Sequence, residues 1–385
     1  MQKLILLYWG TVFLMYLSQT YHPVEIQLQG RQSGKHHFIW KKSDIFIIIT
    51  IIWAGCFSFL RNTYNDSENY IYDFLNLTSP LDQFLAETNL LKVGDNPLFS
   101  LYQTIVKAFT DDFHIFFFFP AMLNSIVVIK YFKRYSSNIA FSLLVFYSVG
   151  TYVMYIAAMK QSIAIAILLI ALPYAIDRKY VKFYLLVFVA MLFHTHAFVF
   201  LAVPFFFGKP WGKVTWLLLA AVLISMATYD VTFGTIMNVA LSMGINIVDW
   251  ELFDGHSIHP IRVIVYWIPA ILALVFRKRL FTDSSREENL FANLSIGAAL
   301  ILTIGLKQGA NLFARMAAYY EIAMGISLPW MFKKIFNKKS ANLIMIVAAV
   351  LYFGYFLYEF GISKNFDRGY SAITIWEFIS SLFAG

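Results

Sequence analysis

The chain has 385 residues, 59% of them hydrophobic and only 14% charged, with a mean hydropathy of +0.65. Soluble domains carry roughly a quarter charged residues, so a soluble globular class is excluded and an integral membrane protein is indicated. The net charge of +8 is no argument for nucleic acid, because the basic excess falls in short loops between apolar runs, where membrane topology accounts for it.

In chain order, apolar segments run at about 2–19, 43–60, 113–130, 139–158, 161–176, 182–207, 214–229, 261–276, 288–306, 310–331 and 341–360, with boundaries soft by several residues. They leave room for ten to twelve spans of about 20 residues each. The first follows Met-Gln-Lys and lacks a small-x-small cleavage site, so it reads as a retained span. Lone Cys56 sits in an apolar run and excludes an intrachain disulfide.

The loops between segments set an orientation. Loop 20–42 carries Arg31, Lys35, Lys41 and Lys42 against Glu25, and loop 332–340 carries Lys333, Lys334, Lys338 and Lys339 with no acid. Both read as cytoplasmic. Loop 61–112 has eight acids against three bases, and loop 230–260 has four acids and no Lys or Arg, so both read as external. Segment 182–207 decides the parity. If it crosses once, the acidic loop 230–260 falls inside and the basic stretch "RKRLFTDSSREE" outside. If it goes in and returns, every loop falls on its expected side. Its length cannot make two full spans at ~1.5 Å per residue, so two short or re-entrant limbs joined near His194 and His196 are expected. Both termini then lie outside.

This topology brings unusual residues to one membrane face. Arg61 ends the outward second segment, Lys160 opens the inward fifth, the two histidines sit at the outer turn of the sixth, and Arg315 lies five residues into "ANLFARMAAYYEIAMGISLPWMF". An ionised side chain costs about 2.5–3.5 kcal/mol at a helix centre on insertion scales, so a shared polar cavity that receives an anion is the expectation. Plainer readings stand beside it. Lys160 and Arg61 are each placed to snorkel at the interface, an intramembrane His commonly bonds a neighbouring helix, and Glu321 suits either a partner of Arg315 or a deeper polar anchor.

No G-x-x-x-x-G-K-[ST], strand-linked G-x-G-x-x-G or H-E-x-x-H is present, so no nucleotide, dinucleotide cofactor or metal is expected. "DSE" at 66–68 sits in an external loop, which disfavours a cytoplasmic glycosyltransferase using nucleotide sugars. "LRNTYNDSENYIYDFLNLTSPLDQFLAETNL" interleaves aromatic, amide and acidic residues, a mixture suited to sugar faces and hydroxyls. "NPLFSLYQTIVKAFTDD" repeats apolar residues at helical spacing and is expected to lie along the membrane surface.

These stretches resemble a known family. "FLRNTYNDSENYIYDF" looks like an Arg-x(4)-Asp-x(3)-Tyr segment, here Arg61, Asp66 and Tyr70. "MKQSIAIAILLIALPYAIDRKYVKFYLLVFVAMLFHTHAFVFL" is similar to the R-Q-(G/S)-I-A…A-x-x-F-H-x-(S/T)-A core of EpsG-like, Wzy-type bacterial polysaccharide polymerases, and "NLFARMAAYYEI" resembles their Arg-x-x-x-Y-(F/Y) helix. There are two departures: Lys160 replaces the usual Arg, keeping charge but losing the bidentate fork for phosphate, and His196 replaces a small hydroxyl.

The resemblance implies a GT-C-like, all-α polytopic bundle of about 11–12 transmembrane or re-entrant helices with a structured external loop. It implies transfer of a growing chain to an incoming undecaprenyl-pyrophosphate-linked repeat unit on the periplasmic face of the inner membrane, without a metal or other cofactor. Lys160, Arg315 and Arg61 are then expected to bind pyrophosphate, and His194 or Asp66 to act as base. Gln161, His196, Tyr70, Tyr319 and Glu321 support the site or bind sugar. Membrane lipids and a separate chain-length regulator are the implied partners. A lipid-linked oligosaccharide flippase or other secondary transporter is the main competing class, with broken helices and intramembrane charge. It sits less well with polar residues gathered at one face and with halves that show no repeat. An O-antigen ligase is the third reading, set against the early position of the large external loop.

Overall fold

The computed structural model describes residues 1–21, 44–78, 80–87, 93–242, 255–362 and 369–383. Residues 22–42 of the first basic loop and 243–254 of the second acidic loop lie outside the described residues. The chain is an all-α multi-pass membrane protein whose one sheet among the described residues is a two-stranded ribbon.

Every predicted apolar segment carries helix, but few are simple spans. Three helices are long and apolar enough to cross a membrane by themselves, Phe113–Tyr135, Met159–Ile176 and Lys338–Ile362, and two bent pairs raise the number to five among the described residues. Helices such as Asp44–Phe59 and Pro260–Val275, at 16 residues, reach only about 24 Å, short of a hydrocarbon core about 30 Å thick. Against an expectation of eleven or twelve membrane segments, three to five among the described residues qualify as crossings by length and composition.

Three breaks shape the bundle. The expected single segment 139–158 is two helices, α7 (Ile139–Ser148) and α8 (Thr151–Ala157), bent by 58°. Gly150, at φ +85° and with Phe360 packed where a Cβ would point, makes the bend. The stretch read as external loop from residue 230 instead begins with a helix, Tyr229–Ser242, whose first turns form a 103° corner with Lys213–Ala227. Its sequence "YDVTFGTIMNVALS" holds apolar residues at helical intervals, so backbone hydrogen bonding continues past the corner.

The third break is the returning segment. Tyr180–Phe193 and the 3-10 helix Thr195–Phe207 meet at His194, whose backbone is extended at φ −157°, ψ 117°. Arg286 donates to Tyr180 Oη at 2.8 Å and lies 3.5 Å over the Phe207 ring. The two ends of the segment therefore come together, and the chain goes in and returns as the loop charges require.

Small polar groups hold the helices to one another, as membrane packing favours. Tyr8 Oη meets Ser148 Oγ at 2.8 Å, Asn124 donates to Ser162 Oγ at 2.9 Å, and Asn293 donates to the Phe206 and Gly208 carbonyls. Outward, Lys338–Phe356 exposes Leu343, Ile346, Val350 and Leu351, a surface that matches lipid tails.

The two bundle ends differ in charge. At one end Lys133 pairs with Asp44 at 2.6 Å, Lys334 with Glu288 at 3.3 Å, and Lys333 donates to the Ser137 carbonyl at 2.5 Å. At the other end lie the short helices Ser67–Leu75, Pro80–Glu87 and Pro97–Lys107 and the ribbon of Arg61–Thr63 with Ser371–Ala372. The C-terminal helix Ile375–Leu382 follows with a Thr374–Glu377 capping box and was not anticipated.

Candidate active site

The site is built on helix Ala310–Ile335, entered from Gly309 in the left-handed conformation at φ +71°. Arg315 and Tyr319 lie one turn apart and so share a face. The Arg315 side chain is one third exposed, and its Nη2 lies 3.5 Å from Asp66 Oδ2. Asp66 reaches that position because Asn65, at φ +48°, turns the chain directly ahead of helix Ser67–Leu75. Asn tolerates this region better than most side chains.

Two further segments are tied to the same helix. Gln161, fully buried, donates from Nε2 to the Arg315 carbonyl at 2.6 Å, which fixes the start of Met159–Ile176 and neighbouring Lys160 against it. Lys160 Nζ sits 5.0 Å from the Phe99 ring centre and 5.9 Å from that of Tyr70, a half-buried ammonium held over aromatic faces. His194 Nδ1 lies 2.7 Å from Tyr319 Oη, and the His196 ring stands edge-on to His194 at 4.9 Å between centres. Arg315 and Lys160 are within electrostatic reach of His194. Lys160, Gln161, His194, His196, Arg315, Tyr319, Asp66 and Tyr70 thus assemble at one end of the bundle from four separate segments.

Two expected residues stand apart. Arg61 is 2% exposed, donates from Nε to Ser67 Oγ at 2.8 Å and from Nη1 to the Ser58 carbonyl, and lies 3.9 Å over the Phe117 ring. Burial pulls its guanidinium down to about 10, still charged at neutral pH. It faces a small, largely apolar cavity of about 30 Å³ beneath the site. Glu321 is not the partner of Arg315. It is buried with its side chain 1% exposed, accepts from Thr151 Oγ1 at 3.0 Å, and faces Arg262 Nη2 at 3.8 Å.

Arg315 and Asp66 open onto a cleft of about 210 Å³, whose other lining includes Asn65, Asn311, Arg262 and Glu359. Arg262 and Glu359 were missed from the sequence. The signal for Arg262 was its place in the first turn of "PIRVIVYW", a lone charge at the outer end of an apolar run. Glu359 sat at the very edge of the last segment, and nothing local marked it. Among the described residues no three His, Cys, Asp or Glu side chains gather to hold a metal ion.

Arg315 and Asp66 at the cleft, with Lys160 and the His194 imidazole tied to the same helix through Gln161 and Tyr319, suit a transfer in which an anion departs and a hydroxyl loses its proton. The model of the EpsG family matches residues 44–372. The chain belongs to the EpsG family. Searches of curated proteins and of solved structures return no match. The EpsG match spans every site residue named above, and the family is associated with a polysaccharide-polymerase, glycosyltransferase-like role.

Proposed function

We propose that this EpsG-family protein is a Wzy-type polymerase with a GT-C-like bundle of eleven or twelve membrane segments. It joins oligosaccharide repeat units carried on undecaprenyl pyrophosphate by moving the growing chain onto the non-reducing end of an incoming unit. The observation that carries the reading is the convergence of Arg315, Lys160, Asp66 and His194 at one bundle end. That end is opposite Lys133, Lys333 and Lys334, and the positive-inside rule supports a site that faces the periplasm.

In this reading Arg315 and Lys160 bind the diphosphate and neutralise charge as its bond to the anomeric carbon breaks. Preorganised cations of this kind lower the barrier without reorganising during the step. The 3.5 Å pair between Arg315 and Asp66 is at the long limit of hydrogen bonding, so a diphosphate oxygen can take Asp66's place. His194 takes the proton of the acceptor hydroxyl. With Nδ1–H donating to Tyr319 Oη, Nε2 is left as the acceptor, and Tyr319 fixes the ring. Asp66, engaged by Arg315, is the less suited base. Arg61 is reassigned from substrate binding to holding the loop that carries Asp66.

The test is complementation of a deletion in the host. Wild type should restore a ladder of surface polysaccharide, while Lys160→Ala and Arg315→Ala, present at normal levels, should leave single-repeat material. Single units trapped inside the cell point to a flippase, and long lipid-linked polymer outside it to a ligase. A full ladder with either variant overturns the assignment.

A further inference from the structure

Part of the cleft lining has a different chemistry from the cation cluster. Arg262 and Glu359 form it, with Asn311 at the same opening. Arg262 has a side chain 28% exposed, and its nearest carboxylate contact, Glu321 Oε1, is at 3.8 Å, beyond hydrogen-bond range. Its Nε has no hydrogen-bond partner among the described residues. The exposed part of the guanidinium can therefore donate into the cleft. Glu359 accepts from Tyr355 Oη at 3.3 Å, and a carboxylate accepts several donors at once.

The backbone here is irregular in two ways. Glu359 and Phe360 sit on a π-helical turn, Leu357–Ile362, and Phe360 packs against Gly150 at the bend between Ile139–Ser148 and Thr151–Ala157, while Arg262 is in the first turn of Pro260–Val275. Irregular backbone at membrane depth is tolerated where it lines a cavity, and π turns gather at functional positions.

Charge decides what the wall receives. Arg262 faces Glu321 at 3.8 Å and shares the cleft lining with Glu359, so two carboxylates accompany one guanidinium and a second anion is disfavoured. A hydroxylated ring fits. Carboxylates only accept and guanidinium only donates, while each sugar hydroxyl does both, so adjacent hydroxyls can bridge Arg262 and Glu359. We propose that Arg262 and Glu359 form a carbohydrate subsite that holds an uncharged sugar of the repeat unit, separate from the diphosphate position at Arg315. The ligand class rests on the polymerase reading above.

Calorimetric titration of the purified full chain with two probes tests it: the repeat-unit oligosaccharide released from its lipid by mild acid, and inorganic pyrophosphate. Wild type should bind both. Glu359→Gln and Arg262→Gln should each weaken oligosaccharide binding about tenfold, as loss of a charge-assisted hydrogen bond does, and leave pyrophosphate binding within about twofold of wild type. Arg315→Gln should show the reverse pattern. The proposal is overturned by unchanged oligosaccharide affinity in both wall variants, by parallel loss of both probes, by selective loss of pyrophosphate in Arg262→Gln, or by a wild type that binds no oligosaccharide. A wild type that binds both probes but restores no polymer in the host leaves the subsite standing and sinks the polymerase reading.

Discussion

Arg61 and Arg315 look alike in the sequence, since each is a lone arginine near the outer end of an apolar run. In the structure they have opposite surroundings. Arg61 spends its donors on Ser67 Oγ and the Ser58 carbonyl under the Phe117 ring and is 2% exposed. Arg315 has one carboxylate at 3.5 Å and keeps a third of its side chain open to the cleft. A buried guanidinium bonded to the surrounding chain fixes a fold, whereas one partly exposed at a cleft can meet a ligand. Position along the apolar run does not separate the two arginines, and burial does.

The largest effect expected from this contrast is the loss of polymer formation in Arg315→Gln. Removing one preorganised charge-stabilising donor typically costs 10²–10³ in rate, so transfer by purified protein should fall by about that factor while thermal stability stays near wild type. Arg315→Lys should recover part of the rate, because charge returns without the fork. A variant that instead unfolds on heating well below wild type would make Arg315 another Arg61.

Next comes Arg61→Ala, with the opposite signature. It strips partners from Ser67 and the Ser58 carbonyl and enlarges the cavity beneath the site, at a cost of about 3 kcal/mol. The expected outcome is a lower melting temperature in detergent and reduced protein in the membrane, with transfer per folded molecule largely retained. Loss of transfer with stability intact would return Arg61 to the diphosphate.

Much of the site was legible because its chemistry is local. Lys160, His194 and Arg315 stand out as charge in apolar sequence, and the parity of basic and acidic loops foretold that 182–207 returns, as Arg286 touching both Tyr180 and Phe207 shows. What stayed hidden depends on contacts distant in sequence. The ribbon pairs Arg61 with Ala372, more than 300 residues apart, and two residues carry no alternation to betray a strand. Glu321 sits six residues past Arg315, too far round the helix for a one-turn pair, and only the fold could supply Thr151 and Arg262 as its neighbours.

A smaller effect is expected within the Arg315 region. Tyr319→Phe keeps the ring packed and removes the hydroxyl that meets His194 Nδ1 at 2.7 Å. The imidazole then loses the bond that fixes its tautomer, and the rate should fall about tenfold, equivalent to ~1.4 kcal/mol. Because the bond acts on His194, the fall should appear in kcat more than in KM and shift the pH–rate profile. A fall confined to KM would mean that Tyr319 contacts substrate directly.

The smallest effect probes how far the Arg61 region is insulated from chemistry. Tyr370 donates to the Phe57 carbonyl at 2.7 Å and stacks on the Phe57 ring at 4.8 Å, just ahead of the strand that pairs with Arg61–Thr63. Tyr370→Phe keeps the stack and loses one hydrogen bond, about 1 kcal/mol, which should lower the melting temperature by about 2 °C. Transfer per folded molecule should not change, because the strand stabilises the loop without touching the cleft side of Arg315. If transfer falls instead while melting is unchanged, the ribbon is setting the position of Asp66, four residues beyond Asn62 on the same loop. The division between a structural and a functional arginine would then be one of degree.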